Sequence, residues 1–101
     1  MYDMKNLQKL KTLEALEPEA WKAFGAFNDA ALADGAIPRI YKELMAVAVA
    51  LTTQCPYCIE LHRQAALKAG ATQEQLAEVA FVAAALRAGG AITHATHLLK
   101  E

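Results

Sequence analysis

A chain of 101 residues with a formal net charge of −1 is one domain's worth of polypeptide, and its scattered basic residues leave no electrostatic footprint for nucleic acid or an anionic membrane surface. Apolar residues make up 55% of it, yet a domain this short hides only about two-thirds of the surface its unfolded chain exposes. The excess over available interior predicts that some apolar side chains face a second copy, so a homo-oligomer is expected. The N-terminal stretch is broken by charges every few positions and does not read as a signal peptide, so the expected location is the cytoplasm. No membrane span is expected either, because the longest apolar run, residues 76–92, carries Glu78 and Arg87.

Leu7, Leu10 and Leu13 suggest a short amphipathic helix. Pro18 suits the first turn of a second helix, with Trp21, Phe24 and Phe27 on a stripe that reads as core and Gly35 placed to end it in a left-handed turn. Pro38 opens a third helix, whose residues 44–51, including Met45, are apolar on every side and should be surrounded. Pro56, directly after Cys55, fits the first position of a fourth helix that runs to Lys68 with Gly70 as its cap. Thr72 and Gln75 form a capping box that opens a fifth, which Gly89-Gly90 should end or kink, leaving a short last helix over residues 92–99. No segment alternates with a period of two, so the expected fold is an all-α bundle of five or six helices, one domain over residues 1–101.

Cys55, Cys58 and His62 are spaced i, i+3, i+7 and share one helix face. Cys55 falls at or beside the N-cap, where unpaired backbone N–H groups and the helix dipole favour a thiolate, and His62, one turn past Cys58, can accept its proton. A cysteine pair three apart in a reducing compartment is more often redox-active or metal-binding than a structural bridge. Glu43 is either on the last wet turn of the third helix or a carboxylate held in a largely buried place, where it would suit a proton relay. Zinc held by Cys55, Cys58 and two of His62, His94 and His97 is a competing reading. The long gap from Cys58 to His94 argues against it, and His94 and His97, one turn apart, fit a surface or an oligomer contact.

The order Gly35-Ala36-Ile37-Pro38, Lys42-Glu43-Leu44, Cys55-Pro56-Tyr57-Cys58-Ile59-Glu60-Leu61-His62 and Ala69-Gly70-Ala71 resembles the carboxymuconolactone decarboxylase superfamily, and within it the AhpD-like alkylhydroperoxidases, over roughly residues 18–90. The resemblance implies an all-α fold, trimers or hexamers, and a proton relay of Glu43 and His62 with the thiols. It makes Cys58 the thiol that attacks peroxide and Cys55 the resolving one. It also implies an external dithiol as reductant, with a lipoylated protein as the family's example, and no haem, flavin or metal. Two departures stand out. The family's peroxidases look like longer chains with a second helical unit, and they carry His between the cysteines where this chain has Tyr57, a phenol that cannot act as a base near neutral pH. The family's lactone decarboxylases lack the cysteine pair, so ring decarboxylation fits poorly. The remaining alternatives are a disulfide reductase or redox sensor without peroxidase activity, and a metal-binding or structural oligomeric module.

Overall fold

The computed structural model describes residues 2–99, and among these there is no strand. A 3-10 helix, Met4–Lys9, leads into α1 (Leu10–Leu16), followed by α2 (Pro18–Leu32), α3 (Arg39–Thr53), α4 (Pro56–Lys68) and α5 (Gln73–His94), with a terminal 3-10 turn at Ala95–Leu98. The all-α reading therefore holds. The capping box holds too: Thr72 Oγ1 accepts from the Gln75 N–H and Gln75 Oε1 accepts from the Thr72 N–H, satisfying two groups that a helix start leaves unpaired. Gly70, at φ 108°, ends α4 in the left-handed conformation expected of it.

Other boundaries fall differently. Gly35 is not left-handed; α2 ends at Leu32, the Lys42 ammonium meets the Ala33 carbonyl at 2.7 Å, and Asp34 turns forward to accept from the Arg39 N–H at the start of α3. A basic side chain and a capping carboxylate thus do what a glycine turn was expected to do. Gly89 and Gly90 neither end nor kink α5, which runs through them to His94, so the last helix shrinks to a single 3-10 turn. Glycine inside a helix costs only about 1 kcal/mol, which a helix of this length absorbs.

The interior is thin. α3 lies between α4 and α5 and buries Leu44, Val47 and Ala50 against them, together with Ala66, Ala71 and Ala83. Burial stops at that one face. Met45 is 49% exposed and Val49 lies open beside it, so α3 is not surrounded within the chain. The aromatic stripe is not core either: α2 rests mainly on α1 and only lightly on α3, leaving Phe24 and Phe27 60% and 71% exposed and Trp21 half-buried. Phe81, Val82, Leu86 and Ile92 are open along α5. The shape follows, with extents of 57 × 32 × 30 Å and a radius of gyration of 17.0 Å, against about 13 Å for a compact chain of this length. Continuous helix through the glycines also makes Gln73–Leu98 long and apolar enough, by length and composition, to cross a membrane, which the charges at Glu78 and Arg87 had argued against.

Candidate functional site

In this core of alanines and two larger aliphatics, the largest side chain that is fully buried is a carboxylate: Glu43 is 1% exposed. A carboxylate removed from water is costly unless its oxygens are met. Here Oε2 lies 2.8 Å from His62 Nδ1 and Oε1 lies 3.8 Å from the Arg39 guanidinium one turn earlier on α3. A carboxylate oxygen accepts, so Nδ1 is the donor of this bond, and the tautomer with its proton there presents Nε2 as an acceptor. The wet-turn alternative for Glu43 is thereby replaced by the buried one.

The cysteines are delivered by the turn between α3 and α4. Gln54 adopts the left-handed conformation at φ 58°, Arg87 from α5 holds the Thr52 carbonyl at 3.1 Å, and the Cys55 N–H returns to the Ala50 carbonyl. Cys55 becomes the N-cap of α4, its Sγ accepting from the Cys58 N–H at 3.3 Å, with Pro56 in the first turn. Both thiols are free and half-buried. Cys55 is held below the ordinary thiol range, first by the hydrogen bond from the Cys58 thiol and then by the backbone N–H groups of Cys58 and Tyr57. Cys58 is pushed above it by the same bond, in which it is the donor, and then by burial and the charge on Cys55. The pair therefore ionises first at Cys55.

The clefts single out the other sulfur. Two clefts meet at Cys58 and His62, and Cys55 lines neither. One, of about 450 Å³, lies on the α2–α3 side against Leu32, Ile37, Met45 and Val49. The other, of about 550 Å³, lies between the N-terminal segment, α2 and α4 against Leu7, Leu10, Phe24 and Leu61. All four residues singled out in the sequence thus gather where α3 and α4 pack, Glu43 bonded to His62 and Cys55 to Cys58.

A sequence model of the carboxymuconolactone decarboxylase family matches residues 18–101. The chain belongs to this family. Members of the family include decarboxylases and peroxidases. The chain is 51% identical over 77 residues to uncharacterized protein 4 in the cox locus of Paracoccus denitrificans, covering 76% of this chain and 69% of that protein. It is 46% identical over 63 residues to an uncharacterized protein of Cupriavidus necator, covering 62% of this chain and only 56% of that one. Among solved structures it is similar to a carboxymuconolactone decarboxylase family protein from Legionella pneumophila, at 34% identity and TM-score 0.79 over 91% of this chain and 82% of the other. A protein of Methanobacterium thermoautotrophicum matches at 34% identity and TM-score 0.82 over 87% and 99%.

Sequence reasoning missed the role of Arg87, which anchors the turn before Cys55, and the partners of Tyr57, whose hydroxyl accepts from Asn6 Nδ2 at 3.1 Å and from the Asp3 N–H at 3.3 Å. Long-range partners of this kind leave no periodic signal. The zinc reading gains no geometry: among the described residues no three His, Cys, Asp or Glu side chains converge closely enough to hold a metal ion, and His94 and His97 lie exposed with ring centroids 5.5 Å apart.

Proposed function

We propose that this family member is an AhpD-like thiol-dependent peroxidase in which Cys58 attacks the peroxide and Cys55 resolves it. The observation that carries the reading is a carboxylate buried to 1% exposure and bonded to the histidine that shares a helix face with both cysteines. In a core this thin, burial of that acid has its best explanation in proton handling.

The chemistry balances as follows. As the Cys58 sulfur takes the terminal oxygen of R–O–O–H, the O–O bond breaks; the thiol proton passes through His62 to the departing alkoxide, giving R–OH and a sulfenic acid. Cys55, already the more acidic thiol, gives up its own proton and attacks the Cys58 sulfur, and hydroxide leaves as water with that proton, carried by His62. An external dithiol, a lipoylated protein or a small thiol, then attacks the disulfide at Cys58, the sulfur that the clefts reach. It expels Cys55, whose lowered pKa makes it the better leaving group. None of these steps calls on haem, flavin or metal. The open faces of α2, α3 and α5 and the long shape support a homo-oligomer, a trimer or hexamer, in which second copies rather than lipid cover them.

A second reading has its own support. The same lowered pKa suits a disulfide reductase that begins at Cys55, as the first cysteine of such a pair often does. Peroxide consumption with dithiol recycling, and dimedone trapping followed by peptide mass analysis, separate the two. The peroxidase gives turnover and an adduct on Cys58. Cys58→Ser abolishes turnover, and Cys55→Ser leaves one sulfenylation event per chain. An adduct on Cys55 with no peroxide turnover favours the reductase.

A further inference from the structure

The phenol between the two cysteines is a latch. Its hydroxyl takes the Asn6 side-chain amide and the Asp3 backbone N–H, and the Tyr2 ring packs edge-on against it with centroids 5.9 Å apart and planes at 80°. Contacts across more than fifty residues of sequence thereby fasten the start of the chain to the redox helix. Asp3 also caps the 3-10 helix that follows, accepting from the Lys5 N–H at 2.9 Å, so the segment leaves the latch in a fixed direction. That direction carries Leu7 and Leu10 over Cys58 and His62, where they face Phe24 and Leu61 across the cleft of about 550 Å³.

We propose that this cleft binds the apolar chain of the hydroperoxide, and that Tyr57 and Asn6 set substrate specificity by fixing its N-terminal wall. The proposal rests on the peroxidase reading for the reaction and adds to it where the chain of R–O–O–H lies. The walls are aliphatic and aromatic, and the polar groups are Asn6, Asn28 and Tyr57 beside the reactive pair, which suits a ligand with one polar end. The opposite cleft is a weaker candidate, because its Met45 and Val49 lie on the open face of α3 assigned above to a second copy, whereas in the N-terminal cleft Phe24 alone lies on such a face. With the chain against Leu7 and Phe24, the terminal oxygen meets the Cys58 sulfur and the product leaves as the alcohol. Tyr57 takes part in no bond change; it is a positioning residue.

The test compares a bulky apolar probe with a small one on the full chain. Alkylation of Cys58 by N-phenylmaleimide and by iodoacetamide, read by peptide mass analysis, gives one ratio; turnover of cumene hydroperoxide and hydrogen peroxide gives another. Tyr57→Phe keeps the ring but removes the oxygen that accepts both hydrogen bonds, and Asn6→Leu removes one donor. Asn6→Leu should lower both ratios about fivefold, the scale of one net hydrogen bond, and Tyr57→Phe at least as much. Asn6→Gln, which keeps the donor, should retain most of each ratio. A melting curve confirms folding, and Asn6→Leu carries the test if Tyr57→Phe does not fold. Ratios equal to wild type in the folded variants overturn the cleft while leaving the peroxidase reading intact. A fall in the maleimide ratio alongside no peroxide turnover by wild type supports the cleft and overturns that reading.

Discussion

Glu43→Gln separates a proton-handling acid from a structural one. The substitution keeps the volume of the side chain and an oxygen to meet His62 Nδ1, now 2.8 Å from a carboxylate oxygen. Trading a charged acceptor for a neutral one loses about 1 kcal/mol, the difference between hydrogen bonds of the two kinds. Against that stands relief from desolvation, several kcal/mol for a carboxylate taken this far out of water. No buried charge is stranded, because His62 is 24% exposed and can remain neutral. Relief wins, so the variant should melt at or above the wild-type temperature. Its chemistry should suffer: an imidazole without its counter-charge is a poorer relay, and a positioned acid–base group is worth about 10²–10⁴-fold, or about 2.7–5.4 kcal/mol at about 1.36 kcal/mol per decade. Peroxide turnover and Cys58 alkylation against pH, beside a thermal melt, give the readout. His62→Gln should cost about as much, and the double variant less than the product of the two. A Glu43→Gln protein with wild-type rates from about pH 6 to 8, the interval between ordinary His and Cys titration, would refute the relay. One that fails to fold would make the carboxylate a structural partner of Arg39 and His62.

The thiols should titrate apart: alkylation followed by peptide mass analysis should find Cys55 reacting at lower pH than Cys58, on either side of the ordinary value of 9.0. Their linkage to stability has opposite signs, since the depressed Cys55 adds stability as pH rises through its folded pKa, whereas the raised Cys58 loses it above the unfolded value. Glu60, held down to about 2 first by the Arg63 guanidinium, should add stability above its unfolded pKa near 4.5 that is lost as pH falls toward 2. That loss is small for so exposed a pair, and Glu60→Gln should remove this part of the acid melting profile. Ala66→Leu should cost about 1–3 kcal/mol in urea unfolding, because Ala66 has no exposed surface and packs against Leu44 and Ala71. Light scattering at micromolar concentration should give a multiple of 10.9 kDa, and a monomer mass would remove the proposed cover for the open faces.

Local rules made much of this chain legible. Thr72 with Gln75, Pro56 after Cys55 and Gly70 after Lys68 are boundary signals whose physics acts within four residues, and each holds. The spacing of Cys55, Cys58 and His62 likewise follows from one helix's geometry. What failed were inferences from pattern to surroundings. The aromatic stripe of α2 and the apolar girdle of α3 read as covered surfaces, but the sequence does not say whether the cover comes from this chain, and for Phe24, Phe27, Met45 and Val49 it does not. Gly89-Gly90 misled for a related reason: a glycine relaxes what a helix can do without requiring it to stop. Glu43 was undecidable because burial of a single carboxylate depends on α4 crossing α3 at the level of His62, a tertiary fact.

The order of ionisation and the lining of the clefts single out different sulfurs, and that difference bears on the proposed mechanism. If reactivity followed acidity alone, Cys55 would meet the oxidant, but it lines neither cleft and its sulfur is occupied as the N-cap of α4. In the proposed peroxidase Cys58, the sulfur that lines both clefts, is the attacking one, and its raised pKa then means that its proton is taken during attack rather than before it. A base beside Cys58 is then a requirement, and His62 lines both clefts with it while holding Glu43 on its far nitrogen. On the proposed reading the buried acid, the histidine and the cysteine with the less favourable pKa form one dependent set. In that proposal the relay is what lets the cleft-lining thiol act as a nucleophile near neutral pH.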